Sequence, residues 1–335
     1  MKILIIHTFG LGDMIMFTPT LKLLQEYYPG AEIDMVIFQK AAAKPIEYCP
    51  EISSIFYTGF SPKKILQTIA MLRRQHYDLT ISTSGTAPFK IAFFAYLIGA
   101  TERIGEYRKV KSPFYTRQVK YQENLHRVVN NIMLLDENNR AISFAPYFCL
   151  PVECNIELPF TNVTDKVKIV VHAGSNLKFK YKRWPVKYFI KLLQYIRSNY
   201  KCDLLIIAGP DELEESKIIS DAVDATLIAD TTIAETAKII SQCDVMINSD
   251  SGLGHISACF DLEIFTIFGP AKAYKAQPYS LKAHIIKKEL PCQPCYGTKR
   301  LKKCRHLNCL SKLMPEYVFN EIKTHSKELE KWRIN

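Results

Sequence analysis

The residues best suited to chemistry fall in five short stretches, and four of these follow a run of apolar residues. The first is Thr8-Phe9-Gly10-Leu11-Gly12-Asp13. Gly10 and Gly12 let the backbone turn sharply and let a ligand come close. Asp13 stands where a helix begins. It can stabilise that helix as an N-terminal carboxylate, or it can take a proton from a hydroxyl held beside it. The third glycine of a dinucleotide fingerprint is missing. The second stretch is Val171-His172-Ala173-Gly174-Ser175-Asn176, followed by Lys178, Lys180, Lys182, Arg183 and Trp184-Pro185. A small-residue loop, accumulating cations and a proline at a helix start favour a bound polyphosphate, with Ser175 and Lys182 as candidate contacts.

The third stretch, Gly209-Pro210-Asp211-Glu212, opens a helix with two acids. Capping accounts for it, and Asp211 or Glu212 could equally approach a nucleoside. The fourth is Asn248-Ser249-Asp250-Ser251-Gly252-Leu253-Gly254-His255. Asp250 and Ser251 can cap, while N–H groups from Ser251 through Gly252 to Gly254 can cradle phosphate oxygens. His255 lies one helical turn in, as either a buried structural histidine or a catalytic one. The fifth sets Cys292, Cys295, Cys304 and Cys309 in a C-x2-C-x8-C-x4-C spacing. Four thiolates among lysines and arginines, which lower thiol pKa, suit a structural zinc or iron ion. His306 could replace one thiolate, and disulfides or unpaired thiols are the alternatives.

Such stretches need strand ends to hold them. Residues 2–7 read as a buried parallel strand. Ile15, Leu21, Leu24 and Tyr28 then mark a helix over 14–28, which Pro29-Gly30 ends. Strands over 32–38, 52–58 and 79–82 alternate with helices over 41–48, 61–75 and 91–100. The rhythm pauses across 144–166 and resumes with strands over 168–172, 203–208, 245–248 and 264–268. Helices over 185–200, 212–223, 233–242 and 252–259 alternate with these. The pattern predicts an α/β chain of two doubly wound domains, 1–160 and 161–335. Ligands in such folds bind at the carboxyl ends of strands, where four of the five stretches lie.

Formal net charge is +11, which suggests an anionic partner such as phosphates, nucleic acid or a membrane surface. The N-terminus lacks a cleavage site of signal-peptide type, and no segment is long enough to span a bilayer. Cys49, Cys202, Cys243 and Cys259 sit singly in apolar contexts and are expected to be reduced core residues.

The loops together resemble those of the lipopolysaccharide heptosyltransferases of glycosyltransferase family 9, over nearly the whole chain. The carriers are Gly12-Asp13 with Thr18-Pro19, His172-Ala173-Gly174-Ser175 with Lys182-Arg183-Trp184-Pro185, Gly209-Pro210-Asp211-Glu212, Asp250-Ser251-Gly252 with His255, and Phe268-Gly269-Pro270. The resemblance implies a GT-B fold, in which two Rossmann-like domains face across a cleft. The acceptor would lie on the first domain, near Gly10 and Gly12, and the donor on the second, with the last helix a candidate to return to the first. It implies an inverting transfer from a nucleotide-diphosphate sugar, most simply ADP-heptose, to a lipopolysaccharide-core or related glycan hydroxyl. No catalytic metal is expected. Asp13 becomes the base, Lys182 a phosphate contact and Asp250 a ribose and phosphate contact. Ala173 stands where the family usually has proline, and Ala271-Lys272 where it has a Thr-Asp pair. A protein-modifying branch of the family uses a four-cysteine metal site.

A protein-modifying heptosyltransferase and a nucleotide-sugar epimerase of the same fold are the competing enzyme readings. A nucleic-acid-binding protein is disfavoured, because no recognised module is present. A cytoplasmic enzyme touching the inner membrane peripherally is the compatible setting for an anionic glycolipid acceptor.

Overall fold

The computed structural model describes residues 1–334 except 86–87, 139–143, 155 and 157–164. The chain forms two compact units, Met1–Pro151 and Val152–Asn335. Residues 157–164, within the expected linker, lie outside the described residues.

In the first unit, β1 (Lys2–His7), β2 (Glu32–Ile37), β3 (Ser54–Tyr57), β4 (Leu79–Ser82), β5 (Glu102–Tyr107) and β6 (Arg117–Lys120) form one sheet. Its order is β3-β2-β1-β4-β5-β6, and every pairing is parallel. β1 and β4 are almost wholly buried, as a strand covered on both faces must be. The helices are α1 (Leu11–Ile15), α2 (Thr18–Tyr27), α3 (Pro62–Arg73), α4 (Pro88–Ile98) and α5 (Arg127–Met133).

The single helix expected over 14–28 is therefore two. Pro19 lies in the first turn of α2, where its missing N–H costs nothing, and the Thr18 hydroxyl donates back to the Ile15 carbonyl at 2.8 Å. The helix expected over 41–48 shrinks to a 3-10 turn at Lys40–Ala43, because Pro45 has no N–H with which to continue the helical hydrogen bonds. β5, β6 and α5 occupy a stretch where no element was expected. Arg103, Gly105 and Glu106 interrupt the apolar pattern of β5.

In the second unit, β7 (Val167–His172), β8 (Cys202–Ile207), β9 (Thr226–Ile228), β10 (Val245–Ser249), β11 (Glu263–Phe268) and β12 (Ala283–Lys287) pair in the order β12-β11-β10-β7-β8-β9, again all parallel. Helices α6 (Val186–Asn199), α7 (Leu213–Val223), α8 (Ile233–Ile240) and α9 (Gly252–Ser257) link the strands. The chain then runs through α10 (Ala273–Ala276), α11 (Lys299–Lys302), α12 (Asn308–Ser311), α13 (Pro315–His325) and α14 (Lys327–Glu330). Trp184, Phe189 and Phe265 centre the core. The closing helices bury Val318, Ile322 and Leu329 in this second core.

Both sheets follow the doubly wound order in which the two halves run outward from adjacent strands. Those strands are β1 and β4 in the first unit, and β7 and β10 in the second. The crevice outside their carboxyl ends is where such a sheet binds ligands.

Cys49 corrects the expectation of reduced core cysteines: its sulfur is bonded to that of Cys149, 100 residues away. Cys149 is brought there by its own N–H, which donates to the Pro45 carbonyl at 2.9 Å. Among the described residues, no helix is long and apolar enough to cross a membrane.

Candidate active site

At the β1/β4 switch point the buried His7 ring meets the Thr83 hydroxyl at 3.1 Å and the Gly10 carbonyl at 3.5 Å. Burial pushes the His7 pKa down to about 4, against the raising influence of the Asp13 charge. His7 is therefore neutral at physiological pH and serves as a tie between the two strand ends. Gly10 is the extended residue that precedes α1, and Gly12 and Asp13 lie inside that helix. Asp13 is partly exposed and forms an ion pair with Arg127, Nη1 to Oδ1, at 2.5 Å.

Arg127 opens α5, and its guanidinium lies 5.2 Å from the Phe9 ring centre. Gly85 makes room for it: its φ is +92°, and a Cβ there would sit 2.7 Å from Arg127 Nη1. Below, buried Glu106 accepts from the Ser84 hydroxyl at 2.7 Å and the Gly85 N–H at 2.9 Å. Burial raises its pKa, while those two donors, Arg108 and Arg127 oppose the rise. Asn131 ties the Ser84 N–H to the Met16 carbonyl. Arg127 escaped the reading of sequence because it stands outside any glycine-rich or charged run, and Glu106 because it lies in the charged stretch Glu102 to Lys111, which reads as solvated surface.

At the β7/β10 switch point His172 bridges two loops. One ring nitrogen lies 2.9 Å from the Ser251 hydroxyl and the other 3.0 Å from Glu212 Oε1. The Ser249 hydroxyl donates to the Ala173 carbonyl at 3.1 Å. Glu212 is turned inward, 7% exposed, and also accepts from the Gly209 N–H at 3.0 Å. Burial alone would raise its pKa, but the His172 hydrogen bond and charge, the Gly209 amide and Arg183 outweigh it and hold the carboxyl below its ordinary value. Arg183 clamps this network from the other side. It donates to the Ser175 and Asp211 carbonyls and pairs with Glu215 at 2.7 Å.

Ser175 is buried, with its hydroxyl on the Phe179 carbonyl, and Asp211 accepts from the Leu177 N–H at 3.0 Å. Both therefore shape the loop that carries Lys182. Lys182 itself ends 2.8 Å from Asp250 Oδ2. Its ammonium also lies 5.6 Å from the Phe179 ring centre and 5.0 Å from that of Tyr296. Ser251 precedes α9, Gly252 is its first residue and His255 is buried within it.

Tyr296 belongs to the cysteine-rich segment, which the N–H groups of Cys295 and Tyr296 fasten to the Pro270 carbonyl, both at 3.0 Å. Cys292, Cys295, Cys304 and Cys309 line one pocket of about 250 Å³, with His306 at its wall. The lowering expected from neighbouring cations is outweighed, although Arg300 does act on Cys295 in that sense. Burial and then the other thiols raise Cys295, and Cys309 is pushed up to about 11. Among the described residues, the metal-type group with ligand atoms close enough to share an ion is Cys49, Glu51 and Cys149. There the two sulfurs are bonded to each other and Glu51 pairs with Lys22.

Two doubly wound units, each with all-parallel strands ordered about a switch point, define a GT-B-like fold. Residues 65–306 match glycosyltransferase family 9 (heptosyltransferase), and the chain belongs to that family. It is 25% identical to lipooligosaccharide heptosyltransferase 2 of Campylobacter jejuni, over 96% of this chain and 98% of that protein. The structure of Escherichia coli ADP-heptose lps heptosyltransferase II matches with a TM-score of 0.76 at 20% identity, over 99% of both chains. The iron-containing dodecameric glycosyltransferase TibC from enterotoxigenic E. coli matches with a TM-score of 0.55 at 14% identity, over 96% of this chain and 75% of that one.

Proposed function

We propose that this enzyme transfers heptose from ADP-heptose to a hydroxyl of a lipopolysaccharide-core acceptor with inversion, using Asp13 as the general base. The observation that carries the reading is the Lys182–Asp250 pair at the carboxyl ends of β7 and β10, in a chain whose relatives are heptosyltransferases.

A sugar hydroxyl is a poor nucleophile, so its proton must leave as the new bond forms. Asp13 accepts that proton while the acceptor oxygen attacks the anomeric carbon, and the bond from that carbon to the diphosphate oxygen breaks on the opposite side. Arg127 fixes the direction of the carboxylate and must yield part of its contact for the base to act. On the donor side, Lys182 exchanges Asp250 for the diphosphate and stabilises the charge that develops on departure. Asp250 with the Ser251–Gly252 turn faces ribose and phosphate, and Asp211 lies toward the nucleoside. Cys292, Cys295, Cys304 and Cys309 have the donor set for a structural iron or zinc ion. All four line one pocket, and a dication there would take up the charge of adjoining thiolates.

The test uses purified protein, a panel of nucleotide-sugars and a heptose-deficient core acceptor. Transfer is expected from ADP-heptose with an inverted product. In Asp13→Asn, kcat should fall by about 10²–10⁴, with affinity for ADP within about twofold of wild type, since Asp13 lies outside the donor unit. Transfer from a different donor and none from ADP-heptose would overturn the donor assignment. Wild-type kcat in Asp13→Asn would remove the base.

A further inference from the structure

The outer face of α3 and α4 is the part of the first unit that the reaction leaves unexplained. The β3-to-β4 and β4-to-β5 crossovers run in the same direction along the sheet, so their helices lie on the same face of it. They pack side by side, and Arg73 of α3 reaches the Leu97 carbonyl of α4. Inward, α4 buries Ile91, Phe94, Ala95 and Ile98. Outward it presents Phe89, Phe93 and Tyr96, spaced at i, i+4 and i+7, at 46%, 45% and 50% exposure. Phe93 and Tyr96 are braced from the side by the Phe114 ring at 5.0 and 5.5 Å. Phe60 and Leu66, at the start and middle of the α3 segment, are still more exposed.

A helix that buries one apolar face normally turns a polar one to water. Here α4 is apolar on both sides, and three large rings in a row form a contiguous patch of the sort that marks an interaction surface. The charge around it has one sign. Residues 59–100 carry Lys63, Lys64, Arg73, Arg74 and Lys90 against the single acid Asp78, which is occupied by the Lys2 N–H at 2.7 Å. Neither α3 nor α4 contains an Asp or Glu.

We propose that this face docks on an anionic lipid surface, the three rings entering the headgroup boundary and the cations pairing with the lipid charges. Aromatic rings beside lysines and arginines on an otherwise short helix pair suit a surface-lying contact, with no span required. A second copy of the chain fits less well, because a twofold contact would set these cations against themselves. The proposal takes from the function above only that the acceptor is lipid-linked; the α3–α4 face would then bring the first unit to the surface that carries it.

The experiment is co-sedimentation of the full chain with vesicles of phosphatidylcholine alone or mixed with phosphatidylglycerol, with neither donor nor acceptor present. Its failure and a failure of the transfer assay are therefore separate results. Wild type should bind the mixed vesicles, and binding should weaken as salt rises. The Lys63→Gln, Lys64→Gln, Arg74→Gln, Lys90→Gln variant should lose about fivefold per cation, several hundredfold in all. The Phe89→Ser, Phe93→Ser, Tyr96→Ser variant should lose roughly tenfold or more. Circular dichroism and size exclusion should show it folded, since the buried face of α4 is untouched. No binding of wild type to mixed vesicles would overturn the proposal, as would unchanged binding of both variants. Light scattering that shows wild-type dimers, monomeric ring variants and no vesicle binding would make the face a protein interface instead.

Discussion

Replacing Gly174 with alanine would place a methyl carbon 2.3 Å from Glu212 Cγ, 2.4 Å from Cδ and 2.7 Å from Oε1. Glu212 cannot simply rotate away, since its carboxylate is held by His172 and the Gly209 N–H, both at 3.0 Å, with Arg183 beside it. Overpacking of this kind costs about 1–3 kcal/mol. Loosening a hydrogen bond to the buried charge adds about 1.5–3 kcal/mol. A loss of roughly 3–5 kcal/mol follows, and for a unit of this size each kcal/mol lowers Tm by about 2–4 °C. Calorimetry of Gly174→Ala should show a shift of about 6–20 °C. The cause is separable by a double-mutant cycle. Glu212→Ala removes the atoms the methyl would strike, so adding Gly174→Ala to it should cost less than about 0.5 kcal/mol. Additive losses, or a Gly174→Ala protein that melts like wild type, would refute the argument that Gly174 exists to admit Glu212.

Two further outcomes are expected. Lys182→Met keeps the stem but removes the ammonium and leaves Asp250 without its 2.8 Å partner. ADP affinity by calorimetric titration should fall by about 10–100-fold, the worth of a charged hydrogen bond, and unchanged affinity would take Lys182 out of the donor site. For His7 the folded pKa, about 4, lies below the unfolded value of 6.5. Between these values the unfolded chain binds more protons, so His7 leaves stability intact above pH 6.5 and erodes it as pH falls toward 4, by up to about 3 kcal/mol. His7→Gln should flatten the stability profile in that window; an identical slope in the variant would sink the assignment.

How much of this was legible in the sequence depended on whether the signal was local. β1, β7 and β10 are largely continuous apolar runs that give way to glycine or small polar residues, and β4 is a short run of apolar and small hydroxyl residues, so the switch-point strands of both sheets could be read directly. β5 could not, because Glu106 faces inward to the Ser84 and Gly85 loop and breaks the strand pattern that would have revealed it. The Cys49–Cys149 bond and the Asp13–Arg127 pair span 100 and 114 residues, and no spacing rule reaches that far. The cysteine segment was visible as a group of thiols. That Tyr296 within it reaches the ammonium of Lys182 depends on how the segment fastens to Pro270, which only the fold supplies.

The two switch points use the same strand order to opposite electrostatic ends. In the first unit the functional candidate is a carboxylate, and an arginine is its partner; in the second it is an ammonium, and a carboxylate is its partner. Each group is thus compensated before any ligand arrives, which is what a half-buried charge requires, because an unpaired one would be expensive to keep away from water. In the proposed mechanism a diphosphate reaching Lys182 competes with one carboxylate, and ribose hydroxyls would donate to Asp250 as the lysine turns to the phosphates. Asp13 differs, because a neutral hydroxyl cannot displace Arg127 from it. An anionic group on the acceptor can, by drawing the guanidinium to itself and leaving the carboxylate free to accept the proton. On the proposed mechanism, an acceptor bearing negative charge would thus free the Asp13 carboxylate, and it is the kind of acceptor a chain of net charge +11 attracts.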